Sequence, residues 1–222
     1  MNYKSSHSAQ GYGSRYAKTY SEGYYYHQWL GIEKNLIIKL FEKYTEKNHE
    51  YLDFACGTGR ILNVAEKYFK RSTGVDVSAT MLDEAKKVCS SSSLIMKDIS
   101  TESINGEFNV ITAFRFFLNA ESQLRHDVLN ELHSYLLDDG ILICNIHTNS
   151  SSPMGLAYRL RNYFFKTENA TMSYDEFSKL LSSHGFEILE SSYYGYLPRV
   201  GWRLNWAHKY LLLPFEKIGN FF

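Results

Sequence analysis

A carboxylate and two glycines stand close together in the segment Asp53-Phe54-Ala55-Cys56-Gly57-Thr58-Gly59, in which Asp53 lies four positions before Gly57. Glycines at such a turn let a ligand approach the backbone, because a Cβ atom would obstruct that approach. If the turn leads into a helix, the first N–H groups of the helix face the ligand. A carboxylate at Asp53 suits a ligand with a positive ammonium group. The segment therefore predicts a site for a charged small molecule.

A second acid, Asp76, stands in the run Gly74-Val75-Asp76-Val77, where a strand is expected to end. A carboxylate at this place is expected to hold both hydroxyls of a ribose. Dinucleotide-binding proteins share that acid, but their G-x-G-x-x-G fingerprint requires a third glycine. Leu62 occupies that position here. The pattern therefore favours a nucleoside that carries a positive group over a dinucleotide with its pyrophosphate.

The elements that must position these residues are short apolar runs alternating with amphipathic stretches. This alternation predicts a parallel sheet covered by helices on both faces. The predicted strands are Glu50–Phe54, Ser72–Val77, Ser93–Lys97, Phe108–Ala113, Gly140–Ile146 and, near the end, Phe186–Tyr196. The predicted helices are residues 27–45, Gly59–Phe69, Ala79–Val88, Glu121–Leu137, Met154–Phe165, and one that begins at the capping box of Ser173 and Glu176 and stops at Gly185.

Composition bounds the function. The chain has 222 residues, of which 44% are apolar, enough for one α/β domain. Lys plus Arg equals Asp plus Glu, whereas proteins that grip a nucleic-acid backbone usually have a basic excess, so nucleic acid is disfavoured as a partner. The three cysteines are far apart and form no C-x-x-C pair, so no zinc site is expected. With neither a secretory signal nor a run long enough to span a bilayer, a cytoplasmic location is expected.

The order and spacing of these motifs resemble class I S-adenosylmethionine-dependent methyltransferases, in particular those that act on small molecules. The resemblance covers about residues 50–146. It implies a Rossmann-like methyltransferase fold, in which a doubly wound, mostly parallel central sheet has helices on both faces and an N-terminal helical lid. The similar segments are 53–59, Gly74–Ser78 with Met81-Leu82, Lys97-Asp98-Ile99, 108–114 and 136–142.

The resemblance also implies S-adenosylmethionine as the cofactor, S-adenosylhomocysteine as the product and no metal ion. For Val77 and Met81, simple core packing is the alternative, and for the N-terminal tyrosines it is a packed helix without a role in binding. The residues that the resemblance places at the methionine half are Asp53, Ala55, Cys56, Gly57 and Gly59. Those at the adenosine half are Asp76 at the ribose, Val77 and Met81 on the adenine, and Asp98 and Ile99 at the adenine edge. Phe114 is expected near the sulfonium, and Tyr16 and Tyr20 in the lid.

The methyl acceptor should lie at the carboxyl ends of the fourth and fifth strands, which border the cleft of an open α/β sheet. His147 is the candidate catalytic base or substrate ligand, because the pKa range of histidine suits proton transfer near neutrality; a structural histidine is the alternative. Arg115 is a candidate for holding an acidic substrate group, with a surface ion pair as the alternative. The further candidates for substrate hydrogen bonds are Asn119, Asn145 and Asn149, although asparagine is common in loops.

Two acceptor classes are disfavoured. Enzymes that methylate amino groups of nucleic-acid bases have Asn or Asp, then Pro-Pro and an aromatic residue, after the fourth strand, where this chain has Ala113–Phe116. Metal-dependent catechol-type enzymes need clustered acids there, and Thr112–Asn119 contains none. The predicted function is methyl transfer to an oxygen or nitrogen of a small molecule, such as a sugar or a natural-product intermediate. The alternatives are a protein or tRNA acceptor, and a non-catalytic nucleoside-binding module.

The chain is expected to divide into three parts. Residues 1–46 form an N-terminal lid and first helix, and 47–196 form the methyltransferase core with an insertion at about 150–171. Residues 197–222 are an aromatic extension packed on the core or on a partner. For this extension, packing in the core or in a homodimer and contact with a membrane surface stay open as alternatives.

Overall fold

The computed structural model describes residues 11–166, 170–195, 206 and 208–215. Most of the predicted extension 197–222 therefore lies outside the described residues. The chain forms two compact units. The first comprises Met1–Lys18 and Ile37–Asn145, and the second comprises Thr19–Leu36 and Ile146–Phe222.

A five-stranded, all-parallel sheet lies in the first unit. Its spatial order is β3-β2-β1-β4-β5, so the chain runs outward from β1 to one edge and then returns to build the other. β1 and β4 are almost wholly buried, as expected for central strands of a parallel sheet. This topology confirms the predicted doubly wound fold. The strands are β1 Glu50–Phe54, β2 Arg71–Asp76, β3 Ser93–Met96, β4 Phe108–Ala113 and β5 Leu136–Cys144.

Helices precede, connect and follow the strands. Besides the α-helices, the described residues form π-helical turns at Trp29–Glu33 and His208–Leu212. The α-helices are α1 Tyr12–Thr19, α2 Gly23–Gln28, α3 Lys34–Tyr44, α4 Leu62–Ala65, α5 Ala79–Val88, α6 Ser122–Tyr135, α7 Pro153–Phe165 and α8 Tyr174–Ser182.

An aromatic cluster joins α3 to the sheet. Phe41 of α3, Tyr51 of β1 and Phe69 are all buried. The ring centroids of Tyr51 and Phe69 are 4.7 Å apart in a stacked arrangement, and those of Phe41 and Phe69 are 5.0 Å apart edge to face. Such pairs add about 0.5–1.5 kcal/mol each beyond the burial of their area. The cluster fixes β1, whose carboxyl end carries Asp53.

The first predicted helix, residues 27–45, begins earlier than expected and changes its winding. The helical segment starts at Gly23, and the π-helical turn separates α2 from α3. Glu33 lies on the buried stripe, and its carboxylate accepts a hydrogen bond of 3.0 Å from the Tyr194 phenol. A buried acid is tolerated here because it has this polar partner.

Two predicted helices are longer than the helices in the structure. The helix expected over Gly59–Phe69 is reduced to α4, because residues 57–61 form a turn in which Gly57 and Gly59 have positive φ. β5 begins at Leu136 rather than Gly140, and α6 ends at Tyr135. Asp138 and Asp139, which precede the predicted start at Gly140, belong to this edge strand, and its pairing with β4 has a register irregularity between Phe108 and Val110.

The predicted strand Phe186–Tyr196 is wrong within the described residues, since 186–195 form no strand. Its apolar and aromatic residues favour a strand, but a strand also needs a neighbour for its backbone groups, which local composition cannot supply. By contrast, the capping box of α8 is confirmed. Ser173 Oγ accepts from the Glu176 N–H at 3.1 Å, and Glu176 Oε2 accepts from the Ser173 N–H at 2.6 Å.

Candidate functional site

Asp53 stands at the carboxyl end of β1, directly opposite Thr112 of β4. The Thr112 hydroxyl donates to Asp53 Oδ1 at 2.7 Å, and the Tyr51 and Thr112 hydroxyl oxygens are 2.5 Å apart. A hydroxyl has one proton to donate. Thr112 therefore accepts from the Tyr51 phenol, and the three side chains form a directed chain that ends on the carboxylate.

The Asp53 carboxylate is 2% exposed. Burial raises its pKa to about 7, although the Thr112 hydroxyl, Arg60 and the Leu62 backbone act in the opposite direction. Its second oxygen, Oδ2, is buried without a hydrogen bond of normal geometry. A buried carboxylate oxygen without a partner is costly, and a positive ligand group would offset that cost. This is what the site would need to hold an ammonium group.

The turn after β1 requires unusual backbone angles. Ala55 has φ 52°, Gly57 has φ 55° and Gly59 has φ 75°. The space beside Gly57 is open, since a Cβ there would meet only the Ala55 carbonyl oxygen at 4.0 Å. Gly59 has a different constraint, because its Cβ would lie 2.7 Å from Cys89 Sγ and 3.0 Å from the Ala85 Cβ. Thus Gly57 leaves room for a ligand, and Gly59 lets α5 pack closely.

Asp76 at the end of β2 holds this turn. Its Oδ2 accepts from the Gly57 N–H at 2.8 Å, and its Oδ1 accepts from the Ser78 N–H at 2.8 Å. Both oxygens therefore fix the backbone where β1 and β2 end. A carboxylate retains further lone pairs for ribose hydroxyls in addition to these two bonds. Asp76 thus has a structural role in this turn that the sequence did not reveal, and its role at the ribose stays a prediction.

An open cleft, about 340 Å³ when the solvent at its open side is included, lies beside Asp76 in the first unit. Besides Asp76, its walls include three further residues predicted for the adenosine half, Val77, Asp98 and Ile99. Asp98 Oδ1 accepts from the Ser100 N–H at 3.1 Å and from the Ser100 hydroxyl at 2.7 Å. The remaining residues along the cleft are Phe54, Ala55, Lys97, Phe116, Leu124 and Val128.

Three predicted cofactor residues have other surroundings. Met81 on α5 is buried and does not line this cleft. Cys56 is buried, its Sγ lies 3.0 Å from the position of a Cβ on Gly74, and burial raises the pKa of its thiol well above the usual range. Phe114 is half-buried and does not line the cleft, whereas Phe116, two residues later, does. Phe116 contacts Phe54 edge to face, with centroids 4.9 Å apart.

The N-terminal helix α1 is docked on the first unit through Gly13. A Cβ at this residue would lie 2.0 Å from the Thr80 carbonyl oxygen, and the Gly13 N–H donates to Thr80 Oγ1 at 3.3 Å. Burial raises the pKa of Tyr12, and the neighbouring Tyr16 and Asp76 raise it further. The helix therefore brings Tyr12, which was not predicted as a site residue, into the electrostatic environment of Asp76.

The tyrosines predicted for the lid fall in different units. Tyr16 pairs with Tyr12 in the first unit, with centroids 6.1 Å apart. Tyr20 belongs to the second unit, where it pairs with Tyr25 at 5.5 Å.

Arg115, Asn119 and Asn145 form one cluster after β4 and β5. Arg115 has φ 59°, a left-handed conformation that is unfavourable for a residue with a side chain. Its N–H donates to Asn145 Oδ1 at 2.8 Å, and its carbonyl accepts from Asn119 Nδ2 at 2.7 Å. Two of the predicted substrate residues thus hold the backbone of the third. Strained backbone of this kind is typical of functional sites.

His147 and Asn149 belong to the second unit. His147 is half-buried, and its carbonyl accepts from the Thr148 hydroxyl at 2.8 Å. The Asn149 side chain accepts from the Ser151 N–H at 2.9 Å and forms a local turn before α7. An isolated bridge pairs Asn149 with Met172.

The described part of the chain offers neither a candidate metal site nor a candidate membrane-spanning helix. Within residues 11–166, 170–195, 206 and 208–215, no group of three or more His, Cys, Asp or Glu side chains is placed to hold a metal ion. In the same part of the chain, no helix is long and apolar enough to cross a membrane.

Sequence reasoning missed several residues of the cleft. Leu124 and Val128 do belong to an apolar helical stripe, but periodicity does not distinguish a core contact from the floor of a cleft. Lys97 and Phe116 flank predicted residues directly. Tyr12 belongs to the four-residue repeat of tyrosines that also contains Tyr16 and Tyr20. From this repeat, Tyr12 could have been predicted together with Tyr16 and Tyr20.

Comparison with known proteins agrees with this geometry. A family model described as "Methyltransferase domain" matches residues 27–191. The Bacillus subtilis protein YqeM, whose name describes it as a methyltransferase, is 31% identical over 150 residues. That alignment covers 63% of this chain and 56% of YqeM, so the chain spans little more than half the length of this relative.

Solved structures share the fold at low identity. An S-adenosylmethionine-dependent methyltransferase from Clostridium acetobutylicum has a TM-score of 0.61 and 17% identity, covering 86% of this chain and 94% of that one. Magnesium protoporphyrin IX methyltransferase from Synechocystis, solved with bound S-adenosylhomocysteine, has a TM-score of 0.67 and 15% identity, covering 84% and 89%. Both likenesses concern the fold.

Proposed function

Because the chain belongs to the class I S-adenosylmethionine-dependent methyltransferase family, we propose that it methylates an oxygen or nitrogen of a small-molecule acceptor. The observation that carries the donor side is the pair of carboxylates around one glycine turn. Asp53 presents a buried oxygen without a hydrogen bond of normal geometry, and Asp76 accepts the Gly57 N–H within the same turn. A ligand with an ammonium group at one end and a ribose further along matches this pair.

The chain's own residues would bind the donor in two halves. Asp53 and the turn at Ala55 and Gly57 hold the methionine end, with Oδ2 of Asp53 facing the ammonium group. Asp76 receives the ribose hydroxyls, while Val77 and Ile99 pack against the adenine and Asp98 accepts from its amino group. These assignments rest on the cleft and on the hydrogen bonds described above.

S-adenosylmethionine supplies a methyl group on a sulfonium, which is already a good leaving group. The protein therefore has mainly to align the acceptor atom for in-line displacement. An oxygen acceptor also needs a base, whereas an amine only has to be neutral. We assign the base or ligand role to His147 and the acceptor-binding role to Arg115, with Asn119 and Asn145 as the residues that position Arg115.

A small molecule is the acceptor class that the charge distribution favours. The chain has no net charge, and the segment after β4 has neither Pro-Pro nor clustered acids. Among the structural neighbours, the Synechocystis enzyme is named for a small-molecule acceptor, magnesium protoporphyrin IX. A protein or tRNA acceptor and a module without catalysis are the alternatives to be tested.

The direct test supplies donor with a labelled methyl group to the protein, together with separated small-molecule, protein and tRNA fractions. Label that enters only the small-molecule fraction supports the proposal. Label that enters protein or tRNA contradicts the acceptor class, and bound donor without any transfer indicates a binding module.

Arg115→Gly is the variant that tests the proposed acceptor site most specifically. Glycine adopts φ 59° without strain, so the substitution removes the guanidinium but keeps the backbone bonds to Asn119 and Asn145. Lys166→Gly is the matched control, because Lys166 is also basic with φ 49° and lies after α7. We expect Arg115→Gly to raise the acceptor KM more than about tenfold, the loss of one charge-assisted bond, and to leave donor affinity unchanged. Equal kinetics of the two variants would remove Arg115 from the acceptor site.

A further inference from the structure

Helix α7 presents an apolar stripe to the solvent. The stripe consists of Leu156, Leu160, Tyr163 and Phe164, spaced i, i+4, i+7 and i+8, so they lie on one face of the helix. Their exposed fractions are between 51% and 80%. Single exposed apolar residues are ordinary, but a continuous row of them on a surface helix indicates a contact site.

The opposite face fixes the direction of this stripe. Met154 and Gly155 are buried, and a Cβ on Gly155 would lie 2.0 Å from the Asn149 carbonyl oxygen. Ser152 caps the helix, with its Oγ accepting from the Gly155 N–H at 3.0 Å. The helix is therefore seated in the second unit through its first turn, and the stripe, which begins at Leu156, points away from Met154 and Gly155.

Two arginines border the stripe. At about 100° per residue, Arg159 lies roughly 60° to one side of Leu156, and Arg161 lies roughly 60° beyond Phe164 on the other side. Both arginines are exposed. Residues 150–166 contain Arg159, Arg161 and Lys166 and no acidic residue, in a chain whose total charge is zero. The positive charge is thus concentrated around the apolar stripe.

We propose that α7 is a peripheral membrane-docking helix, which inserts this stripe at the surface of an anionic lipid bilayer. An apolar face bordered by arginines matches such a surface, where the side chains enter the interface and the guanidinium groups meet lipid phosphates. A second copy docked by the same face would bring its own arginines against these, and like charges would oppose the contact. The charge complementarity therefore favours anionic lipid over self-association.

The C-terminal segment of the second unit has the same character. Residues 191–215 contain Arg199, Arg203 and Lys209 and no acidic residue. In the described part, Trp206, Tyr210 and Phe215 are exposed. Tryptophan and tyrosine are favoured at membrane interfaces. This second basic and aromatic segment is consistent with docking of the second unit, independently of the methyl acceptor.

Vesicle flotation of the full chain tests the proposal. The probes are vesicles of phosphatidylcholine alone and vesicles with about 30 mol% phosphatidylglycerol, a fraction that gives a clearly negative surface. We expect at least about tenfold stronger binding to the anionic vesicles, and a loss of that preference in high salt. Equal binding to the two vesicle types, or no binding to either, would overturn the proposal.

Two double variants and one matched control separate the stripe from general stickiness. Leu160→Asn with Phe164→Asn removes the apolar contact, and Arg159→Gln with Arg161→Gln removes the charge. Each pair should weaken anionic-vesicle binding more than about tenfold. The control Leu189→Asn changes a leucine that is 65% exposed but stands between Glu187 and Glu190, and it should bind within about twofold of the parent.

Two further measurements on each variant check its folding and its oligomeric state. Unchanged melting temperature and donor affinity of each variant show that it is folded. Light scattering after size-exclusion chromatography then reports the oligomeric state. If the stripe variants convert a dimer to a monomer while vesicle binding is unaffected, the face is an interface between copies and the membrane proposal fails.

Discussion

Asp76 Oδ2 accepts the backbone N–H of Gly57 at 2.8 Å, so the acid that ends β2 holds the turn that follows β1. Its other oxygen accepts the Ser78 N–H at the start of α5. One side chain therefore joins the two halves of the predicted cofactor site, the methionine turn and the ribose position. This relationship links the stability of the turn to its capacity to bind a ligand.

Asp76→Ala should weaken S-adenosylmethionine binding more than tenfold, because it removes the ribose acceptor and loosens the turn, and should lower stability by about 1–3 kcal/mol. Calorimetry well below the melting temperature measures the affinity. Asp83→Ala is the control, since Asp83 is an exposed acid on α5 paired with Lys86 at 2.9 Å. Unchanged affinity of Asp76→Ala would exclude Asp76 from the site.

The affinity for S-adenosylmethionine should rise with pH up to about 7. Burial raises the Asp53 pKa to about 7, and an ammonium group favours its ionised form, so below that pH binding has to displace a proton. The affinity should fall by up to about tenfold per pH unit below 7. Asp53→Asn should bind weakly and without this slope. A wild-type affinity that is flat between pH 5.5 and about 7 would contradict the proposed role of Asp53.

The same raised pKa has an opposite effect on the ligand-free protein. Between the unfolded pKa of 3.8 and about 7, the folded state holds more protons than the unfolded state. The contribution of Asp53 to stability therefore falls as pH rises through that window and is constant above it.

Gly13→Ala should release α1 from the first unit. In an isolated helix this change favours helix formation by about 1 kcal/mol. Here the added Cβ would lie 2.0 Å from the Thr80 carbonyl oxygen, so the docking contact is lost. Hydrogen exchange of the α1 amides should become more than about tenfold faster. Ser14→Ala, a substitution at the exposed neighbour, should leave exchange unchanged; equally slow exchange in both variants would show that Gly13 is not the docking point.

Glu66 should stabilise the fold only above acidic pH. Its carboxylate accepts from the N–H groups of Ser90, Ser91 and Ser92 at 3.1, 2.8 and 2.8 Å. Burial acts to raise its pKa, but these hydrogen bonds prevail and lower it from 4.5 to about 2. The stabilisation is complete above pH 4.5 and is lost as pH falls toward 2.

Glu66→Gln should therefore cost about 1–2 kcal/mol in urea unfolding at neutral pH, and the difference from the parent should shrink in the acid window. Glu102→Gln, at an exposed acid, is the control and should have little effect at either pH. A pH-independent difference for Glu66→Gln would show that the charge of Glu66 does not matter.

The sequence predicted the strands of the sheet well because buried parallel strands have a recognisable local composition. Runs such as Glu50–Phe54 and Phe108–Ala113 are short, mostly apolar and almost wholly buried, and the structure has strands at those bounds. The strand predicted at 186–195 is absent because a strand forms only if a partner strand elsewhere in the chain pairs with it. Local patterns indicate what a segment prefers, whereas pairing is a property of the whole fold.

The candidate site also combines features that the sequence indicated with features that it did not. Asp53, Gly57 and Asp76 could be proposed from the sequence because a turn that is to bind a ligand constrains residue type at fixed spacing. The double role of Asp76 was not predictable, because its bond to Gly57 joins residues 19 positions apart. The left-handed Arg115, held by Asn119 and Asn145, also left no local signal, since arginine has no preference for that conformation.

The most direct measurement of the central claim is the melting temperature with S-adenosylmethionine and, separately, with NAD. Ligand at about 100 times its Kd adds roughly 2.7 kcal/mol to the free energy of unfolding. We predict a clear rise in melting temperature with S-adenosylmethionine and none with NAD at the same concentration. A rise with NAD and no response to S-adenosylmethionine would contradict the assignment of the Asp53 to Gly59 turn to a methyl donor.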